Sequence, residues 1–190
     1  MYQPLMRSTT IITCALIVSG CAVSSGYTAH MRYPLPPLNE RVTRIYVDPN
    51  LPQKDVDIAI SDWNHAMNGS YYLLTMPWEE YPSPPAVVLR AAHSDDAAIL
   101  RGGNNAAAVQ YPWVGTYPSS IIYVDMDKSH DNKRIMIAIL EHELGHAYGA
   151  DHMDGTLMAP VVGDHQCIDQ KTIEAVAKRL HLDPQYLNHC

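Results

Sequence analysis

Phenylalanine is absent from this chain of 190 residues, and its aromatic content comes from 12 tyrosines and 3 tryptophans. A basic patch is absent as well. Acidic residues outnumber basic ones 20 to 13, for a formal net charge of −7, which excludes the electrostatic footprint of a nucleic-acid-binding protein. There is no internal repeat. The largely apolar, uncharged run from Thr10 to Ser19 is too short to span a bilayer comfortably, so a transmembrane helix is not expected there. Cysteine is scarce, four in all, with none between Cys21 and Cys167. The length suits one domain that can bury a real core.

The chemistry is concentrated in one stretch, His142-Glu143-Leu144-Gly145-His146-Ala147-Tyr148-Gly149-Ala150-Asp151-His152. On a helix, residues four apart share a face, so His142 and His146 can point ring nitrogens at one ion. Glu143 is one step round, close enough to touch a water on that ion without joining its ligands. Gly149 can take positive φ at no steric cost, end the helix and return His152 as a third ligand. Three protein ligands leave a fourth position for water, which marks a catalytic rather than a structural zinc site.

Asp154-Gly155-Thr156-Leu157-Met158-Ala159-Pro160 follows directly. Together the two stretches resemble the metzincin zinc proteases, in which a long zinc motif precedes a Met-turn. Within that clan the match is closest to the matrixins, the family of matrix metalloprotease catalytic domains. The resemblance implies one catalytic Zn2+ on His142, His146 and His152, with Glu143 as general base and Met158 as the methionine beneath the metal. The residue reading alone leaves Met158 open as a plain core side chain, since Met fills gaps well. The resemblance also implies an antiparallel edge strand above the zinc helix, and Ala106 to Tyr111 best matches it. Ala106, Ala107, Ala108 and Val109 would then pair with an extended substrate, and the small alanines would let its backbone approach.

Four departures from the family pattern limit the carry-over. His93 and Asp95 resemble two ligands of a second, structural zinc, but the other two positions fall on Ala106–Ala108 and near Tyr123, so that site is not expected to close. Asp125, Asp127, Ser129 and Asp131 alternate like calcium ligands, yet the Gly and terminal Glu of a calcium hand are missing, and turn and cap roles suffice. With no cysteine after Cys21 until Cys167, no pro-segment thiol is placed to hold the zinc latent. Ala159 stands where some metzincins carry a tyrosine that approaches the metal.

The N-terminus reads as an export signal, residues 1–20, with Arg7 as its positive region. Val18-Ser19-Gly20-Cys21 resembles a bacterial lipobox. That implies cleavage before Cys21, lipid on its sulfur and, with Ala22 following, outer-membrane sorting in enteric-type bacteria. A plain secretory signal is the alternative. Pro34, Pro36 and Pro37 make residues 21–38 an extended tether, leaving 39–190 as the catalytic domain. Cys167 and Cys190 are then an even pair in an oxidising compartment and are expected to be bonded, two free thiols being the alternative.

Val42 to Val47, Tyr71 to Thr75, Ala86 to Arg90 and Ile121 to Asp125 read as strands, with Ala106 to Tyr111 a weaker one. Pro52 opens a helix whose inner face is Val56, Ile60, Trp63 and Met67, closed by Asn68-Gly69. Asn132 to Tyr148 is the zinc helix, capped by Asp131 or Asn132, and Asp169 caps a last helix with Ile173, Val176 and Leu180 inward. The order fits an α/β (α+β) fold: a twisted mixed sheet, two long helices and a small C-terminal sub-domain with one helix.

The expected reaction is zinc-dependent hydrolysis of peptide bonds in a protein or peptide substrate, by a monomer. Two rivals remain at this stage. One is a lipid-anchored binding protein that keeps the zinc without turnover, which would not need Glu143. The other is a hydrolase of a non-protein envelope substrate such as a cell-wall crosslink.

Overall fold

A computed structural model describes residues 42–78, 86–93, 107–110, 113–114, 117–118, 120–129, 133–162 and 167–190. The signal and tether, Cys21, the Pro-rich stretch at 79–85, Asp95, Ala106, Asp131 and Asn132 lie outside these residues, and so do the expectations that rest on them.

The elements run β1 (Val42–Val47), α1 (Gln53–Ala66), β2 (Tyr72–Met76), β3 (Val87–Ala92), β4 (Ala107–Gln110), β5 (Trp113–Val114), β6 (Tyr117–Pro118), β7 (Ser120–Asp125), α2 (Met126–Ser129), α3 (Lys133–Ala147) and α4 (Gln170–Leu180), followed by a 3-10 turn at Pro184–Tyr186. A five-stranded sheet has the order β2-β1-β3-β7-β4. Its first four strands are parallel. β4 runs antiparallel to β7, with Ala107 opposite Val124 and Gln110 opposite Ile121. β5 and β6 form a separate two-stranded ribbon.

β1 follows from its β-branched residues: Thr43, Ile45, Tyr46 and Val47 turn inward while Val42 and Arg44 stay exposed. In α1, Val56, Ala59, Ile60, Trp63 and Ala66 are buried at helical spacing. The positive φ of Asn68 and Gly69 turns the chain out of that helix. α3 packs against α1, β4 and β7, so the motif-bearing helix lies under the antiparallel strand. Trp63 is core, as its place on the periodic face predicts. It is fully buried, and its indole N–H donates to the Glu141 carbonyl at 2.9 Å. Its ring lies 4.8 Å from that of Tyr148, which meets Tyr71 edge-on at 6.1 Å. The trio sits on α1, just past the end of α3 and at the entry to β2.

Four features bear on the sequence reading, the first and third as corrections. The second and third strands begin one residue later than expected and extend to Met76 and Ala92. The alternating acidic stretch opens with a helical turn, α2, and Asp125 accepts the Asp127 N–H at 3.0 Å. The β5–β6 ribbon and the 3-10 turn at Pro184–Tyr186 were not foreseen. His93 is exposed and pairs with Asp127 at 3.2 Å, in keeping with a surface loop residue.

Candidate metal centre

Helix α3 delivers two of the three histidines and a turn delivers the third. His142 and His146 sit one turn apart, with Nε2 atoms 3.1 Å from each other. The helix ends in a glycine-based cap: Gly149 has φ +84°, its N–H donates to the His146 carbonyl at 2.8 Å, and the Ala150 N–H donates to the Gly145 carbonyl at 3.0 Å. A side chain at 149 would be strained by that φ and would also meet the Arg179 side chain. The reversal brings His152 Nε2 to 3.2 Å from His146 Nε2. The ligand atoms of the three histidines all lie within 4.8 Å of one another, and among the described residues no other group of three His, Cys, Asp or Glu side chains converges in this way.

The protons on these rings are fixed from behind. His142 Nδ1 donates to the Leu157 carbonyl at 2.7 Å, and His146 Nδ1 donates to the Ala150 carbonyl at 2.8 Å. Carbonyls can only accept, so each of these imidazoles carries its proton on Nδ1 and presents a bare lone pair on Nε2. Burial, followed in effect by the opposing hydrogen bond to Ala150 and the neighbouring His152, pushes His146 down to about 4. Burial also lowers His152, against the pull of Asp151.

The donor set fits zinc. Nitrogens at 2.0–2.1 Å in a tetrahedral array lie about 3.3 Å apart, close to the 3.1 Å between His142 and His146 and the 3.2 Å between His146 and His152. Neutral imidazoles with back-donated Nδ1 protons are the usual zinc-ligand state. The same nitrogens would also accept other first-row divalent ions, so the geometry establishes a three-histidine site that could hold a metal and not which metal.

Glu143 is fully buried on α3 between the two helical histidines in sequence. Met158 is also fully buried. It belongs to a turn closed by the Met153 N–H on the Met158 carbonyl at 2.8 Å and by Thr156, whose hydroxyl donates to the Met153 carbonyl and accepts from the Met158 N–H. Gly155, at φ +71°, makes that turn possible. The Met158 thioether packs against the Cα of Gly145, where any β-carbon would collide with it. Ala107 is buried in β4, and Ala108 and Val109 continue that strand opposite Tyr123 and Ile122. Cys167 and Cys190 are joined by a disulfide with a Cα–Cα distance of 6.1 Å.

Two contributors escaped the sequence reading. The carbonyls of Leu157 and Ala150 orient the histidines, and main-chain groups leave no residue-type signal. Gly145 was legible as part of a pattern, but its reason, the approach of Met158, was not. A scan against protein-family models finds no match for the chain, and a search of curated proteins finds none either.

Proposed function

We propose that the protein is a zinc-dependent endopeptidase of the metzincin type, most similar to the matrixins. The observation that carries this reading is the convergence of the Nε2 atoms of His142, His146 and His152, with Glu143 on the same helix. A site built only to bind metal would not require a carboxylate at that position. His142, His146 and His152 would hold the ion. When bound, zinc supplies a Lewis acid that lowers the pKa of a water in its open position toward ~7 and polarises a carbonyl.

The remaining work belongs to the chain. The Glu143 carboxylate takes a proton from the attacking water and returns it to the leaving amine. The Leu157 and Ala150 carbonyls hold the imidazoles in one tautomer throughout. β4, antiparallel to β7 and packed on α3, offers main-chain groups on its other side to an extended peptide. The Cys167–Cys190 disulfide fits an oxidising compartment, which supports export; anchoring through Cys21 rests on the lipobox resemblance alone.

Incubating the purified protein with a peptide library, with and without chelator, tests the reading. Cleavage at internal bonds that chelator abolishes and added zinc restores is the expected result. Zinc uptake without cleavage would leave a binding protein, and cleavage confined to cell-wall crosslinks would reassign the substrate.

A further inference from the structure

Asp169 uses its two carboxylate oxygens for different tasks. Oδ1 accepts the Thr172 N–H at 3.1 Å, which caps α4. Oδ2 accepts the Thr172 hydroxyl at 2.8 Å and also the Leu157 N–H at 2.8 Å, twelve residues back in the methionine turn. A cap requires only one oxygen on the first turn, and Ser, Thr or Asn would serve. The bond to Leu157 is therefore an addition that capping does not explain. Leu157 is fully buried, so its N–H would have no water to replace that partner. On the other side of the same residue, the Leu157 carbonyl accepts the His142 Nδ1–H. Leu157 is thus held between a carboxylate on its N–H and a metal-site imidazole on its carbonyl.

The loop that carries Asp169 is itself pinned. Cys167, two residues earlier, is bonded to Cys190, and the Cys190 N–H donates to the Ile168 carbonyl at 3.3 Å. The anchor therefore runs from the end of the chain through Asp169 and the Leu157 main chain to His142.

We propose that Asp169 is a positioning residue of the three-histidine site, fixing through Leu157 the carbonyl that orients His142. The inference rests on the metal reading above and adds to it a contributor from outside the motif. A charged acceptor suits the task, because hydrogen bonds to a carboxylate are shorter and about twice as strong as neutral ones.

Asp169→Asn separates the two tasks. Its amide oxygen still caps Thr172, while its NH2 must face the Leu157 N–H, two donors opposed. On the metal-stripped whole protein, zinc affinity is measured by competition with a chromophoric chelator, and the visible bands of the Co2+ form report ligand geometry. We expect zinc to bind about tenfold weaker or more, the low end of the effect of losing an outer-shell partner. The Co2+ bands should shift, and the Tm of the metal-free form should also fall, because the buried Leu157 N–H loses its acceptor. Asp169→Ser, which can cap but cannot reach Leu157, should behave alike and replaces Asn if that variant does not fold. Unchanged zinc affinity and Co2+ bands, whatever the metal-free Tm, would reduce Asp169 to a helix cap and overturn the proposal. A parent protein that takes up no zinc would overturn the metal reading itself, an outcome told apart because it appears before any substitution.

Discussion

The thioether of Met158 occupies the space that a β-carbon on Gly145 would need. The contact joins the helix that presents His142 and His146 to the turn that follows His152, and Trp63 closes it from α1. Because Gly145 lies inside a helix, its cost in helix propensity, about 1 kcal/mol relative to Ala, is accepted for this approach.

Gly145→Ala should therefore destabilise the protein despite the better propensity of alanine. Overpacking a tight core costs about 1–3 kcal/mol, which exceeds the propensity gain. Thermal unfolding of the variant should show a lower Tm, and Gly145→Ala combined with Met158→Ala should recover part of the loss. A variant as stable as the parent would show that Met158 can move aside freely.

Metal binding and turnover should separate by mutation. Glu143→Ala should keep about one zinc per chain and lose roughly 10²-fold or more in rate. His146→Ala should lose the metal as well, since two imidazoles hold zinc poorly. Metal analysis beside peptide cleavage checks both, and a Glu143→Ala protein with parental rates would end the proposed mechanism.

Substrate pairing on β4 makes a prediction that depends only on the main chain. In an antiparallel ladder, successive N–H groups point alternately toward the partner strand and away from it. Ala108 and Val109 are neighbours in β4, so one of them faces β7 and the other the open side. Proline removes the N–H at either position. Of Ala108→Pro and Val109→Pro, one should lower Tm by breaking the ladder. The other should keep its Tm and zinc content and lose roughly tenfold in kcat/KM, about one hydrogen bond. Two variants with parental kinetics would move the substrate track away from β4.

Glu141 gives a pH dependence whose sign can be worked out. Burial first, then a hydrogen bond and the like charge from Asp62, push its carboxyl from 4.5 up to about 8. Between those values the folded protein holds a proton that the unfolded chain has released. Stability from this group is thus full below pH 4.5 and is lost as pH rises through about 8. Glu141→Gln keeps the shape without the charge. Its Tm should match the parent at acidic pH and exceed it at pH above about 8. Equal Tm differences at both ends would place the Glu141 carboxyl in an ordinary environment.

The sequence was most readable where one element alone sets the geometry. β1 and the inner face of α1 follow from β-branched runs and from Val56, Ile60 and Trp63 at helical spacing. The histidines of α3 share a face because helices have a fixed period, and Gly149 could be read as the turn because few residues tolerate its φ. What stayed hidden depends on distant partners or on main-chain groups. The Leu157 N–H has no side-chain signature, and the reach of Asp169 to it crosses a turn whose shape the sequence does not encode simply. The β5–β6 ribbon has two residues per strand, too few for any periodicity to register. The aspartates near Asp125 look like metal ligands in one dimension, yet Asp125 is buried and spends one oxygen on the start of α2.

The order in which the chain supplies its parts carries one more consequence. His142, Glu143 and His146 come first, but the carbonyls that set their tautomers belong to Ala150 and Leu157, and the carboxylate that steadies Leu157 belongs to Asp169. The disulfide between Cys167 and Cys190 ties down the loop just before Asp169. A chain synthesised only as far as His152 would hold all three histidines, yet lack the Leu157 carbonyl that orients His142 and the Asp169 carboxylate that holds Leu157.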